Sequence, residues 1–398
     1  VSGFFGSGKS HFAKLAGHLL ADTSLGTDTA RSAFTALLNR SRPFDDALRE
    51  LFQQAANYRL GCHLVTFDIT ALHSAAADKN VGLTFLRGFY HSLGLSDVIP
   101  FAQRELDLQA AGRYDQFLQL YEAKAGVPWA EDKDLTTSSA LFAECLTELL
   151  PNRYPTSQLA HDSLRLSMEQ VNSHSNIEAV VETLIRWLDA RQNGAPNKAP
   201  QRLVFVADEV GAWAGRDMKR IEQLRSLIEV LSARGHGRIW LLATSQEKLS
   251  AVVQNATADQ ELLQRLEARF GINVHLESSE VGTVIEDRIL RKRPSSHPAL
   301  IDLWDSRQAM LRDIAESPGL DLGANYPRVD RDNFLADYPF LPYQIVAAAD
   351  IFGGMRGVKV SSGARSMIRV VFDATRELAD EALGTVVSWD RIFDSANR

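Results

Sequence analysis

Residues 3–10 read Gly3-Phe4-Phe5-Gly6-Ser7-Gly8-Lys9-Ser10 and match G-x-x-x-x-G-K-[ST] at every fixed position. This pattern restricts the fold more than any other stretch, because it works in only one setting. The glycines let the backbone curl so that successive N–H groups converge on a phosphate at the positive end of a helix dipole. Lys9 then reaches the β- and γ-phosphates, and the Ser10 hydroxyl is a magnesium ligand. Gly3, Phe5, Gly6, Ser7, Gly8, Lys9, Ser10 and His11 are accordingly the candidate nucleotide contacts. A helix must follow the loop. Phe12, Leu15, Ala16 and Leu19 recur at helical spacing and are expected to form its buried face. A buried strand must precede the loop, yet only Val1 and Ser2 do, so the chain is expected to be a piece of a longer protein, cut just after its first core strand. The competing reading is a chance glycine-rich turn ahead of a helix; the complete motif and the amphipathic segment behind it argue against that.

A phosphate loop hydrolyses nothing without a carboxylate for the metal and a group that activates water. "RLVFVADEVGAW" offers both. Leu203 to Ala207 is a continuous apolar run, as expected of a parallel strand buried on both faces, and it ends in Asp208-Glu209. Ligands of open α/β sheets bind at the carboxyl ends of strands. Asp208 is therefore the candidate metal carboxylate beside Ser10, and Glu209 the group that polarises the attacking water. An acidic strand end that merely caps the next loop is the alternative. After a helix marked by Ile221, Leu224, Ile228 and Leu231, with Gly235 and Gly237 at its end, "RIWLLATSQE" reads as another buried strand. It finishes in Thr244-Ser245-Gln246, polar groups placed where a γ-phosphate sensor lies; which of the three faces inward is open at this stage. In "ELLQRLEARFGINVHLE" a short helix leads to Arg269 and a strand-like run through Leu276. Arg269, with Arg265 as second candidate, has the position of an arginine finger reaching across a subunit boundary; a solvated helix-end arginine is the alternative. Gly363-x-Arg365 opens a later helix from which Arg365 can fold back onto a nucleotide.

These segments imply an α/β fold with a parallel sheet of five strands once the missing first one is added. The core is expected over 1–277, with a strand at Cys62 to Thr70. The span of about 71–200 is far too long for an ordinary crossover and reads as a helical insertion. Phe85, Phe89 and Leu93 mark one of its helices, Leu141, Cys145 and Leu149 another. A capping box at Ser175 to Glu178 opens a third, through Leu188. Residues 278–398 read as a mainly helical lid domain, with no further buried parallel strand. The formal net charge of -7 gives no support for indiscriminate nucleic-acid binding over the whole surface. The densest basic cluster, Arg288, Arg291, Lys292 and Arg293, reads more readily as a solvated helix end than as a phosphate-backbone contact. Two cysteines, Cys62 and Cys145, are too few for a disulfide framework or a zinc site and are expected to be small buried hydrophobes. The histidines are scattered with no ligand spacing and no Ser/His/Asp arrangement is visible, which leaves hydrolysis at a histidine-bound metal and serine hydrolysis without support. No stretch is apolar for long enough to span a membrane, and a cytoplasmic setting is expected.

Taken together, "SGFFGSGKSHF", "VFVADEVG" and "LLATSQEKL" resemble the large P-loop ATPases of bacteriophage-exclusion (BREX) defence systems, the BrxC and PglY family, over the whole chain. The arrangement is also similar to the broader AAA+ class of three-layer P-loop NTPases. The resemblance implies ATP and Mg2+ as the bound species, a sensor role for Ser245, an arginine-finger role for Arg269 and a second sensor at Arg365. It further implies a homo-oligomer acting with other BREX proteins, including a DNA methyltransferase, with direct DNA contact left open. A nucleotide-dependent switch or scaffold that does not hydrolyse ATP is the second reading. A small-molecule phosphotransferase is a third, for which no acceptor pocket is evident.

Overall fold

The computed structural model describes residues 1–3, 8–38, 46–47, 50–51, 53–54, 61–76, 80–173, 177–195, 198–214, 217–245, 269–276, 282, 285–286, 289–315, 326–354 and 364–397. The chain divides into two compact units: Val1 with Ser10–Asn273, and Ser2–Lys9 with Val274–Arg398. In chain order, the sheet and the helices that matter for the site are α1 (Lys9–Ala21), β1 (Gly61–Asp68), α2 (Val81–Ser92), α3 (Ser139–Leu149), α4 (Ile177–Gly194), β2 (Gln201–Asp208), α5 (Met218–Gly235) and β3 (Ile239–Ala243).

The first unit is built on a parallel sheet of order β1–β2–β3, in register at Asp68 with Asp208 and at Ala207 with Ala243. The central strand β2 buries both faces, as its unbroken apolar run requires. Leu203, Phe205 and Ala207 point into the larger core with Val65, Phe85, Phe89, Leu184, Leu188, Leu224 and Ile228, which come from β1 and from α2, α4 and α5. Val204 and Val206 point the other way, onto Ala13 of α1, with Val1, Leu64 and Leu242 around them. Helices thus cover both sides of a small sheet.

Helix α1 does not use the face its large side chains suggest. Phe12 is 39% exposed, and the residues packed flat on the strands are Ala13 and Gly17. A Cβ at Gly17 would lie 2.7 Å from Val206 Cγ2 and 2.8 Å from Leu64 Cδ1. Small residues at i and i+4 let the helix axis sit close to the sheet, and Leu15, Ala16 and Leu19 are left half-buried at the flanks.

Two further expectations about strands are corrected. The strand expected over Cys62 to Thr70 ends at Asp68, because the Asp68 carboxylate accepts a hydrogen bond from the Ala71 N–H at 2.9 Å and starts the helix Ile69–Ala76. The run expected to be a strand through Leu276 is regular only at His275–Leu276. Among the described residues the first unit therefore has a three-strand parallel sheet rather than five strands. The second unit holds a separate parallel pair, with Ser2 beside His275 and Gly3 beside Leu276. Val1 continues the edge of the first sheet: its amino group donates to the Ala243 carbonyl at 2.7 Å, and the Ser245 N–H donates to the Val1 carbonyl at 2.9 Å.

In the long segment between β1 and β2, α2 and α4 pack on the sheet, and the helices between them enclose a second core. Phe101, Phe117, Tyr121, Trp129, Phe142, Cys145 and Leu146 pack together, with Trp129 stacked on Phe142 at 5.0 Å between ring centroids. One buried carboxylate, Glu105, ties this layer internally. It accepts from the Ser96 N–H at 2.8 Å, Trp129 Nε1 at 2.7 Å and the Tyr114 hydroxyl at 3.0 Å, and burial still pushes its pKa up. Cys145 is buried as expected, whereas Cys62 on β1 is only half-buried; both are free thiols. Helix α4 runs to Gly194, past the expected end at Leu188.

In the second unit, helices His297–Ala315, Arg331–Asp337, Pro342–Gly354, Ala364–Arg376 and Trp389–Asn397 surround two apolar clusters, one centred on Phe340, Phe352 and Val371 and one on Trp304, Phe334 and Tyr343. No helix among the described residues is long and apolar enough to cross a membrane.

Candidate functional site

The carboxyl end of β2 and the first turn of α1 meet. Ser10 Oγ donates to Asp208 Oδ1 at 2.9 Å, across 198 residues of chain. The end of β3 closes the same cluster. Thr244 Oγ1 donates to that Asp208 oxygen at 2.5 Å and accepts the Glu209 N–H at 3.0 Å, while the Glu209 N–H also lies 3.2 Å from Asp208 Oδ1. On the other carboxylate oxygen, Oδ2, Lys14 Nζ of α1 stands at 3.9 Å. Asp208 is 8% exposed and Thr244 1%. A carboxylate that deep in the fold needs donors, and three neutral ones and one cation surround it.

Glu209 adopts φ +59°, a left-handed backbone that costs a non-glycine residue about 1–3 kcal/mol. Two hydrogen bonds hold the residue there: its N–H to Thr244 Oγ1, and its carbonyl to the Trp213 N–H at 2.9 Å, in the helix Val210–Ala214 that follows.

Thr244 and Ser245, at the end of β3, face different surroundings. The Ser245 side chain packs against Gly211, where a Cβ would lie 2.0 Å from Ser245 Oγ, and that hydroxyl is buried without a hydrogen-bond partner among the described residues. Of the two, Thr244 is the one that hydrogen-bonds to Asp208. The signal lay in strand parity: Ala207 pairs with Ala243, so Asp208 and Thr244 are the next neighbours on the α1 face that Val204, Val206 and Leu242 also share. Gln246 lies outside the described residues. Lys14 was also missed, although its i+4 spacing from Ser10 puts both on one side of α1.

The other expected site residues are placed as follows. Gly8 has φ +85°, which only glycine adopts freely, and a Cβ there would meet nothing, so the backbone conformation and not space calls for glycine. Lys9 is the first residue of α1 and is 5% exposed; His11, the third, is exposed. Gly3 is the second residue of the short strand beside Leu276. Phe5, Gly6 and Ser7 lie outside the described residues, as do Arg265, Arg288 and Gly363. Arg365 is the second residue of the helix Ala364–Arg376, and its side chain lies outside the description. Arg269 pairs with Glu229 of α5 at 2.9 Å, a carboxylate that Arg225 also engages at 3.1 Å, and it remains half-exposed. Within one chain, then, its guanidinium is held on α5.

The Ile289 and Leu290 N–H groups both donate to the Ile285 carbonyl, at 2.9 and 3.0 Å, just before the described part of the basic cluster. Arg291 to Arg293 run without regular structure into the 3-10 turn Pro294–Ser296. Lys292 turns inward, donating to the Ala336 carbonyl at 2.5 Å, with burial lowering its pKa to about 8. Arg291 and Arg293 are exposed. The most buried histidine of the sheet, His63, bonds Ser92 at 2.9 Å beside Phe89 and Trp187, and burial lowers its pKa to about 4. It is neutral at pH 7 and structural. No group of three or more His, Cys, Asp or Glu side chains able to hold a metal by themselves occurs among the described residues. The hydroxyl of Ser10 and the carboxylate of Asp208 are hard oxygen donors, which suit Mg2+, an ion that takes one or two protein oxygens and completes its shell with water and substrate phosphate.

No protein-family model matches the chain, and no solved structure matches it.

Proposed function

We propose that this chain binds ATP with Mg2+ and hydrolyses it, as an AAA+-like P-loop ATPase. The single observation that carries the reading is the Ser10–Asp208 hydrogen bond, which joins the end of the G-x-x-x-x-G-K-S motif to the acidic strand end. Bound magnesium would offset the charge of the β- and γ-phosphates. Lys9 would supply a second positive charge to those phosphates from the first turn of α1, and backbone N–H groups of the loop would hold their oxygens. Glu209, next to Asp208 and fixed by Thr244, is the residue we assign to orient and polarise the attacking water. Further support comes from the residue just ahead of the motif: the Val1 amino group and carbonyl both hydrogen-bond to the end of β3.

The resemblance to the BREX ATPases extends the proposal to a homo-oligomer working with other defence proteins, a DNA methyltransferase among them, with ATP turnover driving assembly or remodelling. Arg269 is the residue we assign to a neighbouring subunit's site, released from Glu229 on assembly. A non-hydrolysing switch is the alternative, and the pairing of Asp208 with Glu209 favours hydrolysis, since a switch needs no water-activating glutamate. The test is a pair of variants of the full chain. Lys9→Ala is expected to abolish ATP binding, and Glu209→Gln to bind ATP while its turnover falls about a hundredfold or more. Unaltered turnover in Glu209→Gln would remove Glu209 from the chemistry.

A further inference from the structure

We infer that Lys14 is the counter-ion of Asp208 when no metal is bound, and that it competes with Mg2+ for this carboxylate and so sets the magnesium concentration at which the site loads. The inference rests on the nucleotide-site reading and adds a regulator to it. Three neutral donors, from Ser10, Thr244 and the Glu209 backbone, converge on Asp208 Oδ1 at 2.9, 2.5 and 3.2 Å. They satisfy hydrogen bonding without cancelling the charge. Oδ2 has Lys14 Nζ at 3.9 Å and no other ion-pair partner among the described residues. The two side chains differ sharply in access: the Lys14 side chain is 51% exposed and that of Asp208 11%. Such a lysine can swing its ammonium into water about its own flexible stem while the backbone of α1 stays in place.

A divalent cation held by Asp208 and Ser10 would share that carboxylate with the ammonium, and like charges brought to one carboxylate repel even in a high-dielectric setting. Loading the metal and expelling Lys14 are therefore linked: what steadies the empty site weakens the filled one. Lys14 is by this argument a positioning residue for Asp208 and touches neither phosphate nor the reacting water.

The experiment uses the full chain with a fluorescent N-methylanthraniloyl ADP, titrated with MgCl2, for wild type, Lys14→Met and Lys14→Arg. Lys14→Met is expected to reach half-saturation at a magnesium concentration about three- to fivefold lower, the range that a pair with one half-exposed member supports. Lys14→Arg keeps the charge and should follow wild type. In EDTA without nucleotide, Lys14→Met should unfold at a lower temperature than wild type, and the difference should vanish with saturating Mg2+ and ADP. An unchanged or higher magnesium requirement in Lys14→Met overturns the inference and leaves the nucleotide site standing. So does a loss of ADP affinity that is equal at every magnesium concentration, which would make Lys14 a phosphate contact. If wild type takes up no ADP at any magnesium concentration, the nucleotide reading itself fails, and this inference falls with it.

Discussion

At the scale of the residue, the site turns on one hydroxyl. Thr244 Oγ1 gives its only proton to Asp208 and takes the Glu209 N–H, so it fixes the acid on one side and the strained backbone of Glu209 on the other. Removing the hydroxyl at constant shape leaves a buried acceptor and a buried donor each short of a partner. Thr244→Val is therefore expected to lower ATP turnover about tenfold to a hundredfold, the cost of misplacing a catalytic group by an ångström or less. The ATP concentration at half-maximal rate should move far less, and Thr244→Ser should restore most of the rate. Equal turnover in Thr244→Val and wild type, measured by phosphate release, would show that Thr244 does not position Glu209. The meeting of Ser10 with Asp208 was legible in the sequence, because a loop that opens a helix and an acidic strand end belong at the same edge of a parallel sheet. The choice of Thr244 over Ser245 was not, because it depends on which face of β3 looks toward α1. Three adjacent polar letters do not carry that fact.

At the scale of the element, α1 delivers Ser10 to Asp208 only because it lies close on the sheet. Gly17 makes that approach possible. On an open helix face Gly→Ala gains about 1 kcal/mol of helix propensity. At position 17 the added methyl meets the stiff, central Val206 at 2.7 Å as well as Leu64 at 2.8 Å, and overpacking of this kind costs about 1–3 kcal/mol. The clash outweighs the propensity, so Gly17→Ala should unfold at a lower urea midpoint than wild type and bind Mg·ATP more weakly. A midpoint above that of wild type would mean that α1 does not rest on β1 and β2 as described. The helical character of residues 9–21 was readable from periodicity, yet the face was not. Hydrophobic spacing pointed to Phe12, Leu15, Ala16 and Leu19, and close packing selected the small residues Ala13 and Gly17 instead. β1 shows the same limit. Its apolar run continues into Ile69, and the Asp68 carboxylate, by capping the next helix, ends the strand sooner than hydrophobicity alone implies.

At the scale of the whole molecule, most of the chain lies outside the Ser10–Asp208 cluster. The layer inserted between β1 and β2 closes its own aromatic core around Trp129 and Phe142 and anchors it with the triply bonded Glu105, so it can be long without being loose. Its helical nature was legible from the spacing of Phe85, Phe89 and Leu93 and of Leu141, Cys145 and Leu149, which lie in or at the ends of α2 and α3. Its separate core was not, since a single sequence does not reveal which aromatic residues meet. The segment after residue 273 is likewise mainly helical where described, as its pattern suggested, and has two apolar clusters of its own.

The central claim is that Ser10 and Asp208, 198 residues apart, hold one magnesium–nucleotide site. Its most direct test is calorimetric titration of ATP into the full chain with Mg2+ and with EDTA, for wild type, Ser10→Ala and Asp208→Asn. Wild type should bind ATP at least about tenfold more tightly with Mg2+, a difference of about 1.4 kcal/mol, and each variant should erase most of that increment. No binding of ATP by wild type, or a full magnesium increment retained in both variants, would contradict the claim.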